Sequence, residues 1–179
     1  ESHRTASAST EKFQLEWFED IQPSETAWLV KGVMPSEGYG FLVGPSGTLK
    51  TFLALDIALS IASGRQLFAK RTSCAGAVYV AAEAPPGVRR RVAAWRQEYS
   101  PDAAHFAMIE RAPNLTDRTS AQRLSAALIE ASARMRGRGT HLGLVVIDTL
   151  ATSMPGGDEN SGADMSRVLS NIQMIAAET

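Results

Sequence analysis

Gly44-Pro45-Ser46-Gly47-Thr48-Leu49-Lys50-Thr51 sets a first glycine, a lysine and a threonine at the separations of the phosphate-binding pattern G-x-x-x-x-G-K-[ST]. The flanks fit that pattern. Tyr39 to Val43 (YGFLV) is a short apolar run that predicts a strand, and Phe52 to Ala62 (FLALDIALSIA) is apolar nearly all round, as a buried helix ending near Gly64 would be. In a strand-loop-helix unit the backbone N–H groups of the loop and the positive end of the helix converge on one point. Lys50 is therefore expected to neutralise β- and γ-phosphate oxygens and Thr51 to ligate magnesium. One position departs from the pattern: Leu49 stands where its last glycine belongs. Either its backbone keeps an ordinary negative φ with the side chain turned away, or the loop binds nucleotide poorly. A plain strand-to-helix turn would need only Gly44 and Gly47, and it leaves Lys-Thr at the mouth of an apolar helix without a role.

Working outward, two acids end apolar runs. Leu142 to Ile147 (LGLVVI) is apolar on both faces, which predicts a central parallel strand covered by helices, and it delivers Asp148 to the carboxyl edge of the sheet. There a carboxylate can hold a water of magnesium's shell while Thr51 ligates the ion directly. A helix cap or turn residue is the plainer role for an acid at a strand end. Ala77 to Ala82 (AVYVAA) predicts a second strand, closed by Glu83. Glu83 is the candidate general base, a role that needs reach toward a water beside the γ-phosphate more than a shifted pKa. Taken alone, it serves equally well as the residue that ends a strand before the Pro85-Pro86 turn.

The remaining segments read as alternating helices and strands. Val88, Val92, Trp95 and Tyr99 recur on one helical face, and His105 to Ile109 is a brief strand. Thr119 with Gln122 reads as a capping box opening a helix whose stripe is Leu124, Leu128, Ala131 and Met135, and which stops near Gly137 or Gly139. Ser161 with Asp164 reads as another, ahead of Met165, Val168, Leu169, Ile172 and Ile175. Repeated strand-helix units imply an α/β fold, a parallel sheet with helices on both faces and its ligand site at the carboxyl ends of the strands. Residues 1–12 read as a disordered tail and 13–179 as one domain, with Phe13, Leu15, Trp17, Phe18, Trp28, Leu29 and Val30 packing onto the core from a short lead-in.

The 179 residues, 44% hydrophobic and 21% charged, exclude collagen-like, coiled-coil and wholly disordered chains. A formal net charge of -1 announces no nucleic-acid or membrane partner, so any basic patch must be local. No apolar run approaches the roughly 18 residues of a membrane span. With no secretory leader and a single cysteine, Cys74, the expectation is a cytoplasmic protein whose thiol is a small buried apolar group. Arg89, Arg90, Arg91 and Arg96 crowd one helix and read as a solvated face before a DNA contact. The loop Met154 to Gly162 is flexible by its glycines, yet Asp158 and Glu159 carry the wrong sign for gripping phosphate.

GPSGTLKTFLALDIALSIASG, VYVAAEAPPGVRRRVAAW and VVIDTLATSMPGGDENSGADM together resemble the RecA-fold P-loop ATPases of the plasmid RepA-like group, relatives of the DnaB-type hexameric replicative helicases. The resemblance covers about Trp28 to Thr179. It implies Mg-ATP bound by the loop (Lys50, Thr51) and the Walker B residue Asp148, Glu83 as base, and a homo-oligomeric ring, a hexamer, acting on single-stranded DNA. That family tolerates a bulky residue before the lysine. It also implies a further strand, inserted between the loop strand and the Asp148 strand and carrying a polar sensor of the γ-phosphate, and a later arginine finger; the chain is expected to stop short of both. A small-molecule kinase and a non-hydrolysing nucleotide-binding module that works through assembly are the competing expectations.

Overall fold

The computed structural model describes residues 15–100 and 104–179. The expected tail and Phe13 lie outside them. Three strands, β3 (Gly76–Ala81), β4 (Phe106–Ile109) and β5 (Leu142–Asp148), pair in parallel in the order β4-β3-β5, after a small antiparallel hairpin of β1 (Trp28–Val30) and β2 (Met34–Pro35). Parallel neighbours need long crossovers, and helices supply them: α2 (Pro85–Tyr99) joins β3 to β4, and α3 (Arg118–Arg136) joins β4 to β5.

Side chains alternate across β3, so its two faces need separate cover. Ala77, Tyr79 and Ala81 face α1 (Lys50–Ser63) and α2, whereas Val78 and Val80 meet α3 and α4 (Gly162–Glu178). The expected α/β architecture with helices on both faces is thus present, and every residue of β3 is buried. The unusual all-round apolarity of α1 has a packing cause. Leu55, Ala58, Leu59 and Ala62 lie on the sheet, while Ile61 turns to the hairpin cluster of Leu29, Val30, Leu67 and Ala75. Each such large aliphatic side chain contributes about 1.5–3 kcal/mol by leaving water.

The orientation of α1 decides where its first turn lies. Ala75 N–H donates to Ile61 O (3.3 Å) and His105 N–H to Ala62 O (2.8 Å), so the last turn sits at the amino ends of β3 and β4. The helix has 14 residues, and at a rise of about 1.5 Å each it spans roughly the length of β3. Its first turn therefore reaches the carboxyl edge. α2 starts on Pro85 and Pro86, whose missing N–H groups cost nothing there. It is pinned to α1 by Asp56, whose Oδ1 accepts from Trp95 Nε1 (2.9 Å), and by Arg65, whose guanidinium lies 3.7 Å from the Tyr99 ring centroid.

Several expectations fail for physical reasons. Tyr39 to Val43 is not a strand: it has no ladder partner among the described residues, and Tyr39, Phe41, Leu42 and Val43 are exposed. Apolar side chains alone do not make a strand when the backbone groups have nothing to pair with. β5 is an edge strand beside β3, which is the central one; its two apolar faces report cover by α1 on one side and α3 on the other. Among the described residues of the lead-in only Leu29 and Val30 are buried, while Leu15, Trp17 and Phe18 face solvent. Cys74 is exposed as well. α3 is capped by Asp117, whose carboxylate accepts from Thr119 N (3.3 Å) and Ser120 N (2.9 Å), so Thr119 is inside the helix rather than its cap. Ser161 does cap α4, accepting from Asp164 N at 3.4 Å. No helix among the described residues is long and apolar enough to cross a membrane.

Candidate functional site

The loop Gly44 to Leu49 precedes the first turn of α1 and is mostly exposed. Lys50 Nζ reaches back across it, donating to Gly44 O (2.6 Å) and Pro45 O (2.7 Å), and Thr48 Oγ1 donates to Pro45 O (2.8 Å). These bonds hold the ammonium at the concave side of the loop. A Cβ on Gly44 would meet Thr48 Oγ1 at 3.0 Å, a tight contact that the glycine avoids. Gly47 has φ +80°, a conformation L side chains avoid. The amides of Ser46, Gly47, Thr48 and Leu49 donate to no acceptor among the described residues. Donors left free at a helix N-terminus beside a lysine form an anion-receptive group, and triphosphate oxygens suit it.

Leu49 departs from the first alternative drawn for it, an ordinary negative φ. Its backbone takes φ 62°, ψ 20°, the left-handed conformation a glycine would adopt, and its side chain is 65% exposed. The leucine thus keeps the glycine geometry at a cost of about 1–2 kcal/mol, while its bulk points away to solvent. Glycine at this position would relieve that strain but would lose more chain entropy on folding, by about 0.5–1 kcal/mol. Leu49→Gly is therefore expected to raise the unfolding free energy by a net ~0.5 kcal/mol, read as a higher urea midpoint. A lowered midpoint would show that the leucine is not strained.

Asp148, the last residue of β5, lies opposite Ala81 and is half-buried. Its carbonyl accepts from Ala82 N (2.8 Å) and Glu83 N (3.3 Å), which ties the backbone of Glu83 to the Asp148 strand end. Glu83 itself is exposed, and its carboxylate accepts no hydrogen bond from a described residue. The first turn of α1, Asp148 and Glu83 therefore share the carboxyl edge. Thr51 and Asp148 offer hard oxygen donors, the chemistry magnesium selects, and no group of three His, Cys, Asp or Glu suited to a softer metal occurs among the described residues.

Sequence reasoning passed over Tyr79. Fully buried on β3, it donates its hydroxyl to Asp148 Oδ2 at 2.7 Å. Burial first, then that hydrogen bond and the charge of Asp148, push the hydroxyl far above the ordinary tyrosine range, with the Arg91 guanidinium opposing slightly. Tyr79 is thus a permanent donor. The signal was period two: Tyr79 and Ala81 share a face of β3, and Ala81 sits opposite Asp148.

The arginines of α2 divide. Arg89 pairs with Glu110, whose carboxyl the Arg89 hydrogen bond holds below its usual range, and Arg91 stacks over the Phe52 ring at 4.4 Å, next to Thr51. Arg90 and Arg96 are exposed. Beyond β5, a 3-10 turn (Ala151–Ser153) leads to an open cavity of about 260 Å³ lined by Ala151, Met154, Gly157, Asp158, Glu159 and Asn160. One of its acids is turned to local bonds, Asp158 Oδ1 accepting from Asn160 N (2.8 Å). No basic side chain lines it.

A family model described as AAA domain matches residues 4–179. No curated protein and no solved structure matches the chain.

Proposed function

Because the chain belongs to the AAA domain family, we propose that it binds Mg-ATP and hydrolyses it, and that a ring of copies couples the turnover to movement on, or loading onto, single-stranded DNA. One observation carries the ATPase reading: the first turn of α1, Asp148 and Glu83 lie at one edge of one parallel sheet. The nucleic-acid part rests on the likeness of the loop, Glu83 and Asp148 segments to the RepA-like ATPases.

The chemistry is in-line displacement at the γ-phosphorus. Glu83 orients a water and accepts its proton as the new P–O bond forms, and the bond to the β-bridging oxygen breaks with that oxygen leaving on ADP. Lys50 and the free amides of Ser46 to Leu49 hold the non-bridging oxygens, where negative charge develops. Thr51 and Asp148 would hold magnesium, which when bound would supply positive charge to offset that of the phosphate oxygens.

Product analysis tests the proposal. Release of free phosphate from ATP, stimulated by single-stranded DNA, is the expected result. A phosphorylated small molecule would make the protein a kinase, and an ATP-dependent ring on size-exclusion chromatography without turnover would make it an assembly module. Either outcome overturns the motor reading.

A further inference from the structure

We propose that Tyr79 is a positioning residue for the metal-facing carboxylate, holding Asp148 by one oxygen so that the other is presented to magnesium. The inference rests on the Mg-ATP reading above. Three observations carry it. Tyr79 is wholly buried, its ring packed in the layer between β3 and α1 with Leu55, Ala58 and Leu59, so its hydroxyl has no freedom to swing. Its hydroxyl donates to Asp148 Oδ2 at 2.7 Å, and Oδ1 accepts nothing from the described residues. Asp148 stands at the rim of the sheet and is only half-buried, a place where a carboxylate would otherwise sample several rotamers.

A buried tyrosine hydroxyl needs some acceptor in any fold. The choice of acceptor is the informative part, because the bond joins a fully buried residue of the central strand to the acid at the end of β5. Fixing a ligand's orientation from behind raises metal affinity without contact between the fixing group and the metal, and loss of such a partner typically costs 10–100-fold.

The test is the magnesium dependence of nucleotide binding. With N-methylanthraniloyl-ATP as the probe, Tyr79→Phe is expected to leave binding in excess EDTA unchanged and to raise the magnesium half-saturation about tenfold. In an Asp148→Asn background the same substitution is expected to add nothing, since Tyr79 acts through that carboxylate. Equal half-saturation in Tyr79→Phe and the parent chain overturns the proposal, as does a full further shift in the Asp148→Asn background. Lys50→Ala separates this failure from that of the underlying reading. If Lys50→Ala loses the probe while Tyr79→Phe titrates like the parent, only the positioning role falls; if Lys50→Ala binds normally, both fall.

Should Tyr79→Phe fail to fold, the parent chain labelled with 3-fluorotyrosine gives the answer. It has three tyrosines, Tyr39, Tyr79 and Tyr99, so Tyr39→Phe and Tyr99→Phe assign the resonances. A Tyr79 fluorine signal that moves with probe plus magnesium but not with probe in EDTA supports the role, and an unmoved signal overturns it.

Discussion

Lys50→Ala is expected to cost between about 30-fold and several thousandfold in ATP affinity, the span of roughly 2–5 kcal/mol associated with removing one partner of a desolvated charge pair. Isothermal titration or a fluorescent nucleotide measures it. The loss should be one of binding and not of folding. Among the described residues Lys50 Nζ donates only to Gly44 O and Pro45 O, and those carbonyls lie on an exposed loop where water can replace the ammonium. The substitution should therefore change the unfolding free energy by less than ~1 kcal/mol. A variant that binds ATP as well as the parent would remove the loop from the mechanism.

The second large effect separates binding from turnover. Glu83→Gln is expected to keep ATP affinity within about twofold while turnover falls by about 10²–10⁴, the usual worth of a general base. Glu83 is exposed and unbonded among the described residues, so the fold should tolerate the amide within ~0.5 kcal/mol. Steady-state phosphate release, set beside the binding titration, reads both quantities. Matching rates in Glu83→Gln and the parent would return Glu83 to the plainer role of a turn residue between β3 and Pro85.

These two residues also mark how far the amino-acid sequence leads. The helix from Lys50, the strands around Tyr79 and Val146, and the faces of the helices at Val88, Leu124 and Val168 were all legible, because each is specified by local periodicity. What failed depended on partners that periodicity does not report. Tyr39 to Val43 has a strand's side chains and no hydrogen-bonded neighbour among the described residues. β5 looks central because two helical layers cover it, although it has one ladder partner among the described residues. The aromatics Trp17 and Phe18 are apolar enough for a core and are exposed all the same.

At the site the same division holds. The spacing of Gly44, Lys50 and Thr51 identifies the loop, since those residues are neighbours along the chain. Asp148 and Glu83 could be placed at an edge only by recognising where two apolar runs stop. Their backbone contact, Glu83 N to Asp148 O, depends on the register of β3 against β5. So does the Tyr79 hydroxyl on Asp148. Leu49 was legible as a departure from the pattern, but its left-handed backbone was not, because a leucine carries no local signal for that conformation.

The most direct measurement is a crystal structure of the chain with magnesium and a non-hydrolysable ATP analogue. The β-phosphate is predicted to lie within hydrogen-bonding distance of Lys50 Nζ and the amides of Ser46 to Leu49, with the metal between Thr51 and Asp148 and with Glu83 facing the γ-phosphate. Analogue bound elsewhere, or a loop in which Lys50 remains on Gly44 O and Pro45 O at saturating nucleotide, would contradict the assignment.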